Sequence, residues 1–142
     1  MATEPLHVLI VDDDHLAALG LEKYLQSMGV PIYCRFSDNL VTEEPWEPNI
    51  VVVDPRTLGY AVRDLVQTTR SLFPFSRVVI YTTQSGLSHY QFAEFVDAGA
   101  DAVLCKDRPN SSILWAFARV LTGGKWFEPY IGKGPVPALG LA

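Results

Sequence analysis

Short apolar runs alternate with helix-length segments along most of this chain. Runs with the length of a β-strand cover residues 7–11, 32–36, 50–53, 78–81 and 102–105. Several of them are apolar almost throughout, which is typical of parallel strands covered on both faces. The segments between most of the runs repeat apolar residues at helical spacing. This alternation predicts βα units arranged around a parallel sheet.

Five βα units of this length predict an α/β fold of the flavodoxin-like type. Its doubly wound parallel sheet would have five strands in the order 2-1-3-4-5, with helices on both faces. The connection after strand 2 contains Pro45 and Pro48, so its helix is expected to be short or irregular. From Lys125 onward the chain is rich in Gly and Pro, which favours irregular structure. The expected division is a domain over residues 1–127 and a tail or interdomain linker over 128–142.

Composition restricts the class of protein further. A length of 142 residues with 49% hydrophobic residues suits one domain with a buried core. The net charge of -5 argues against a nucleic-acid surface within these residues, because such surfaces cluster Lys and Arg. No apolar run is long enough to span a bilayer, and a soluble, cytoplasmic protein is expected.

Two cysteines lie on different predicted strands. Cys34 belongs to strand 2 and Cys105 to strand 5, which the predicted strand order places on opposite edges of the sheet. A disulfide needs its two Cα atoms within about 7 Å. We therefore expect two free thiols.

Polar residues follow the predicted strands at their carboxyl ends. In a doubly wound sheet these ends meet where the strand order reverses, and ligands bind there. Converging carboxylates repel one another unless a cation compensates them. The residues concerned are Asp12, Asp13 and Asp14 after strand 1, Asp54 after strand 3, Thr82 and Thr83 at strand 4, and Lys106 after strand 5.

This donor set predicts a site for Mg²⁺ and a phosphoryl group, because Mg²⁺ is bound by one or two carboxylates together with phosphate oxygens. Lys106 would neutralise a phosphoryl group moving onto Asp54, and Thr82 would donate a hydrogen bond to it. Thr83 is the lesser candidate for that hydroxyl. Asp14 precedes an apolar-periodic segment and is predicted to cap a helix rather than bind metal.

The sequence resembles the receiver domains of two-component response regulators, in particular their LuxR/NarL-like branch. The resemblance covers roughly residues 6–130. It is carried by the acidic pair after strand 1, by Asp54 after an apolar strand, by the Tyr81-Thr82 end of strand 4 and by the segments at residues 98–107 and 121–124. Each motif is weak alone, but their order and spacing together are specific.

The resemblance implies a signalling domain that is not an enzyme, beyond slow self-phosphorylation and self-dephosphorylation. Asp54 would be the phosphoacceptor, Thr82 would match the family's switch hydroxyl, and Lys106 would match its phosphate-binding lysine. Asp12, Asp13, Asp54 and the backbone carbonyl of Arg56 would form the Mg²⁺ site. A histidine kinase would be the phosphoryl donor, a homodimer is possible, and DNA would be bound only through a C-terminal domain outside this chain.

Several positions depart from the family's pattern. Pro55 follows the acceptor directly, Thr57-Leu58-Gly59 stands where Met-Pro-Gly is usual, and Val103 replaces the aromatic switch residue. These departures leave open a second hypothesis, a receiver fold that acts as an interaction module without phosphorylation. A third, a phosphatase of the haloacid-dehalogenase type, is disfavoured because Arg56 replaces the second Asp of that family's motif.

Overall fold

The computed structural model describes residues 5–29, 31–40, 47–59, 62–83, 88–106 and 111–128. Strands and helices alternate along the chain as the sequence predicts. The strands are β1 (Leu6–Val11), β2 (Ile32–Ser37), β3 (Ile50–Val53), β4 (Arg77–Thr82), β5 (Ala102–Cys105) and β6 (Trp126–Phe127). The helices are α1 (His15–Gln26), α2 (Pro55–Leu58), α3 (Val62–Leu72), α4 (His89–Ala98) and α5 (Ser111–Leu121).

All pairs of neighbouring strands are parallel, and the sheet order is β2-β1-β3-β4-β5-β6. The predicted order is confirmed for the first five strands, and their predicted bounds agree with the observed ones to within one residue. The prediction of five strands is wrong, because Trp126 and Phe127 pair with Ala102 and Val103 and add a sixth. Two apolar residues flanked by Gly-Gly-Lys and Glu-Pro are too short a run to predict a strand from sequence.

The sheet is covered on both faces, as its continuously apolar strands predict. Alternate residues of each central strand enter two separate clusters, because successive side chains point to opposite faces. On one face Leu9, Val51 and Ile80 pack with residues of α3 and α4, including Leu65 and Phe95. On the other face the intervening strand residues pack with α1 and α5, including Leu21, Leu25, Phe117 and Val120.

Two helices begin directly at the carboxyl edge of the sheet. Asp14 is the N-cap of α1, and its side chain accepts a hydrogen bond from the backbone N–H of Ala17, which confirms its predicted capping role. Asp54 precedes α2, a single turn with Pro55 in its first turn and Gly59 in the left-handed conformation at its end. Both helix starts therefore fix the loops that carry the predicted site.

The remaining fold predictions have mixed outcomes. Cys34 and Cys105 are free thiols, as expected from their strands. A short or irregular helix is expected in the connection between strands 2 and 3, and residues 41–46 of that connection lie outside the described residues. Within the described parts of the chain, no helix is long and apolar enough to cross a bilayer. Reading the chain from Lys125 onward as irregular is wrong for β6, whereas the tail over residues 129–142 lies outside the described part.

Candidate functional site

The amine of Lys106 lies between two buried carboxylates. Its Nζ atom is 2.7 Å from Oδ2 of Asp12 and 2.8 Å from Oδ2 of Asp54. Asp12 follows β1, Asp54 follows β3 and Lys106 follows β5, so the contact joins three strands at their carboxyl ends. Both aspartates are 3% exposed. The predicted convergence of these three residues is confirmed.

The second oxygen of Asp54 is held by two further donors. Its Oδ1 accepts a hydrogen bond of 2.9 Å from the hydroxyl of Thr82 and one of 3.0 Å from the backbone N–H of Arg56. Thr82 is completely buried at the end of β4. The carboxylate of Asp54 thus has a fixed orientation, with one oxygen toward neutral donors and the other toward a cation.

Electrostatics keep Lys106 charged in this position. Burial alone would lower the pKa of its amine, but the hydrogen bonds and negative charges of Asp12 and Asp54 outweigh that effect and raise the pKa above its usual value. Two carboxylates facing one ammonium still leave an excess of negative charge. The site therefore favours a further cation or a group that brings one.

Asp13 occupies a different part of the same edge. Its backbone N–H donates to Oγ1 of Thr57 at 3.1 Å, and that hydroxyl lies 3.3 Å from Oδ1 of Asp13. Asp13 is exposed. The loop after β1 is thereby tied to the turn after β3, and the carboxylate of Asp13 contacts Thr57 beside the group formed by Asp12, Asp54 and Lys106.

The chemistry of the donors is compatible with Mg²⁺. Among the residues that the structure describes, no group of three or more Asp, Glu, His or Cys side chains is arranged so that it could hold a metal ion by itself. Mg²⁺ does not require one, because it commonly keeps several waters and takes one or two carboxylates together with phosphate oxygens. The excess negative charge of Asp12 and Asp54, with Asp13 nearby, fits such a hydrated ion.

Side chains around this group complete its walls. The guanidinium of Arg56 donates to Oγ1 of Thr83 at 2.9 Å, which links the turn after β3 to the end of β4. Thr83 is therefore a partner of Arg56, whereas Thr82 is the hydroxyl that reaches Asp54. The ring of Tyr81 lies beneath Lys106, with 5.7 Å from the amine to the ring centroid. Burial raises the pKa of the Tyr81 phenol, partly offset by Lys106.

Two further side chains contribute to this edge of the sheet, and the sequence predicts neither contribution. In the sequence Thr57 is notable only as a departure from a motif, although its hydroxyl bonds Asp13. Glu128 falls within the expected tail, but it is buried and its Oε1 accepts a hydrogen bond from the backbone N–H of Cys105 at 2.8 Å. No local pattern marks either residue, because each contact joins segments more than twenty positions apart in sequence.

Comparisons with known proteins agree with this geometry at the level of the fold. No family model matches the sequence, and no curated protein matches it. Among solved structures, a LuxR family DNA-binding response regulator from Silicibacter pomeroyi aligns with a TM-score of 0.70 at 22% identity, over 87% of this chain and 97% of that one.

Two further solved structures show the same architecture. A response regulator from Burkholderia pseudomallei, with a phosphorylated aspartic acid, calcium ion and citrate, aligns with a TM-score of 0.65 at 23% identity over 83% of this chain and 69% of that one. RcsB from Salmonella enterica, bound to promoter DNA with the phosphomimetic BeF3-, aligns with a TM-score of 0.68 at 16% identity. That alignment covers 84% of this chain and 61% of RcsB. The chain has the fold of response-regulator receiver domains.

Proposed function

We propose that this chain is a phosphoaspartate receiver domain of a two-component response regulator, with Asp54 as the phosphoacceptor. The observation that supports this most strongly is the placement of the Lys106 amine 2.8 Å from Asp54 and 2.7 Å from Asp12. Such an arrangement suits a carboxylate nucleophile with a fixed ammonium beside it. The receiver fold of the similar structures supports the same function.

In the proposed reaction, a carboxylate oxygen of Asp54 attacks the phosphorus of a phosphohistidine, and the bond from phosphorus to the histidine nitrogen breaks. The product is an acyl phosphate on Asp54. Lys106 would neutralise the oxygens of the arriving phosphoryl group, because phosphoryl transfer depends mainly on positioning and charge. Thr82 already donates to Asp54 and would transfer its hydrogen bond to the attached phosphoryl group.

We further propose Mg²⁺ as the cofactor, held by Asp12, Asp13, Asp54 and the backbone carbonyl of Arg56. When bound, the ion would neutralise charge on the carboxylates and phosphoryl oxygens. The response regulator from Burkholderia pseudomallei carries calcium together with its phosphorylated aspartic acid, which is consistent with a divalent ion here. Binding would oppose the excess negative charge that Lys106 leaves at this edge.

The expected partners follow from this role. A histidine kinase would donate the phosphoryl group in the cytoplasm, and phosphorylation would change homodimerisation or contacts with an output domain. Similar structures include a DNA-binding response regulator and RcsB bound to promoter DNA. We propose transcriptional regulation as the output, with DNA contacted by a C-terminal domain outside this sequence.

The second candidate is an interaction module that does not use phosphorylation. Val103 stands at the aromatic switch position of the family, and it is fully buried in the core on β5. Its short side chain provides no aromatic ring that could change position with Thr82. Val103 therefore favours a difference from the family in how phosphorylation would change the protein's contacts. It does not bear on whether Asp54 would accept phosphate.

Incubation with acetyl phosphate and Mg²⁺ tests the proposed function. The parent protein should give a retarded band on a phosphate-affinity gel, and Asp54→Asn should abolish it because the amide cannot form an acyl phosphate. Asp64→Asn, at an exposed position on α3, is the matched control and should shift like the parent. A parent protein without a shifted band, where a known receiver shifts, would favour the second candidate.

A further inference from the structure

The β6 strand ends beside the site without belonging to it. Trp126 donates its backbone N–H to the carbonyl of Asp101 at 3.1 Å, and Glu128 donates its own to the carbonyl of Val103 at 3.0 Å. Phe127 packs edge-on against Phe92 of α4, with 6.3 Å between ring centroids. The end of β6 is therefore held firmly against β5, the strand that leads into Lys106.

Glu128 continues this pairing with its side chain. Its Oε1 accepts from the backbone N–H of Cys105 at 2.8 Å, and the residue is 6% exposed. Burying a carboxylate to this degree is costly unless strong hydrogen bonds compensate for the lost hydration. The carboxylate of Glu128 accepts a hydrogen bond from the N–H of the last residue of β5.

Lys106 is the next residue, and its backbone is held from the opposite side. Its N–H donates to the carbonyl of Thr82 on β4 at 2.8 Å. The N–H groups of Cys105 and Lys106 point to opposite neighbours, as in any strand within a sheet. The backbone at Cys105 and Lys106 is thus held by β4 on one side and by Glu128 on the other. The side-chain amine of Lys106 meanwhile reaches Asp12 and Asp54.

We infer that Glu128 is a positioning residue of the phosphoacceptor site: its carboxylate fixes the end of β5 so that Lys106 holds its amine between Asp12 and Asp54. This inference rests on the proposed function for its effect on phosphorylation. It also means that β6 helps to position a residue of the proposed phosphoacceptor site.

Two substitutions distinguish the effect of the hydrogen-bond acceptor on Glu128 from the effect of the space that its side chain fills. Glu128→Met fills similar space without an oxygen and should slow Asp54 phosphorylation by acetyl phosphate about tenfold, since small displacements of positioned groups cost rate steeply. Glu128→Gln keeps an oxygen acceptor and should remain within about threefold of the parent rate. Val120→Ala, which removes buried volume on α5, controls for lost stability and should keep the parent rate while lowering Tm.

A second measurement does not depend on phosphorylation. In NMR spectra without any phosphoryl donor, the Cys105 amide and the Lys106 side-chain resonances should shift in Glu128→Met and stay near their parent positions in Glu128→Gln. If the methionine variant does not fold, Glu128→Ala replaces it in both measurements.

The outcomes are distinguishable. Parent-like phosphorylation of Glu128→Met, or equal slowing in Glu128→Gln or Val120→Ala, would overturn the inference. If the parent itself is not phosphorylated, the proposed function fails and the NMR shifts alone decide about Glu128. Unchanged Lys106 resonances in Glu128→Met would then overturn the positioning role as well.

Discussion

Lys106→Met should lower the free energy of unfolding at pH 7 by about 3 kcal/mol, because it leaves two buried carboxylates without their cation. The side chain of Lys106 is 10% exposed, and those of Asp12 and Asp54 are 2% and 3% exposed, so water compensates little. The raised pKa of Lys106 means that its contribution is complete at pH 7 and is lost only as pH rises through that pKa in strong alkali. Urea unfolding followed by circular dichroism measures the effect.

A second substitution tests the cause of this loss. Asp12→Asn in the Lys106→Met background should recover much of the lost stability, since it removes one of the two repelling charges. Added Mg²⁺ should also stabilise Lys106→Met, because an ion that binds only the folded state shifts the equilibrium by mass action. Lys106→Met with parental stability would mean that the amine does not compensate the carboxylates.

Asp101→Asn should lower the free energy of unfolding by about 2 kcal/mol at neutral pH, because a buried carboxylate with several hydrogen-bonding and charged partners loses its charge. Asp101 directly precedes β5 and so lies at the amino ends of the strands, whereas the site lies at their carboxyl ends. Its carboxylate is 4% exposed. It accepts from the backbone N–H of Val78 at 2.9 Å and pairs with Arg70 and Lys125, each at 3.0 Å. These contacts tie α3, β4 and the start of β6 together.

The same carboxylate gives the parent a defined acid sensitivity. Burial alone would raise the pKa of Asp101, but the Val78 N–H, Lys125 and Arg70 outweigh it and hold the pKa below its usual value. Its stabilisation is therefore present above the ordinary aspartate pKa and is lost as pH falls through the lowered pKa.

The difference between parent and Asp101→Asn should accordingly shrink below about pH 4, near the ordinary aspartate pKa. Chemical unfolding at a series of pH values measures it. Asp97→Asn, at an exposed position on α4, is the control and should change stability by less than about 0.5 kcal/mol throughout. A difference that stays constant down to strong acid would contradict a charge-based role for Asp101.

The fold was predictable wherever one segment carried its own signal. Runs such as Ile50–Val53 are apolar at every position, which specifies a strand buried on both faces. The Asp54-Pro55 pair also contained a helix-start signal, with a capping residue before a proline, although α2 was not predicted from it. β6 could not be predicted, because two residues form a strand only when β5 already offers its edge.

The candidate site divides in the same way. Asp12, Asp54, Thr82 and Lys106 could be grouped from sequence, because the carboxyl ends of parallel strands lie at one edge of a sheet. The side-chain directions within that edge could not, since they depend on contacts between distant loops. Thus Asp13 contacts Thr57, and Glu128 reaches Cys105 because β6 pairs with β5.

The most direct test of the central claim is fluorine NMR of the protein with Mg²⁺ and beryllofluoride, a mimic of the phosphoryl group. If Asp54 accepts a phosphoryl group beside Lys106, the parent should give bound fluorine resonances that require Mg²⁺, and Asp54→Asn should give none. Bound resonances that persist in Asp54→Asn, or none in the parent where a known receiver gives them, would contradict the account.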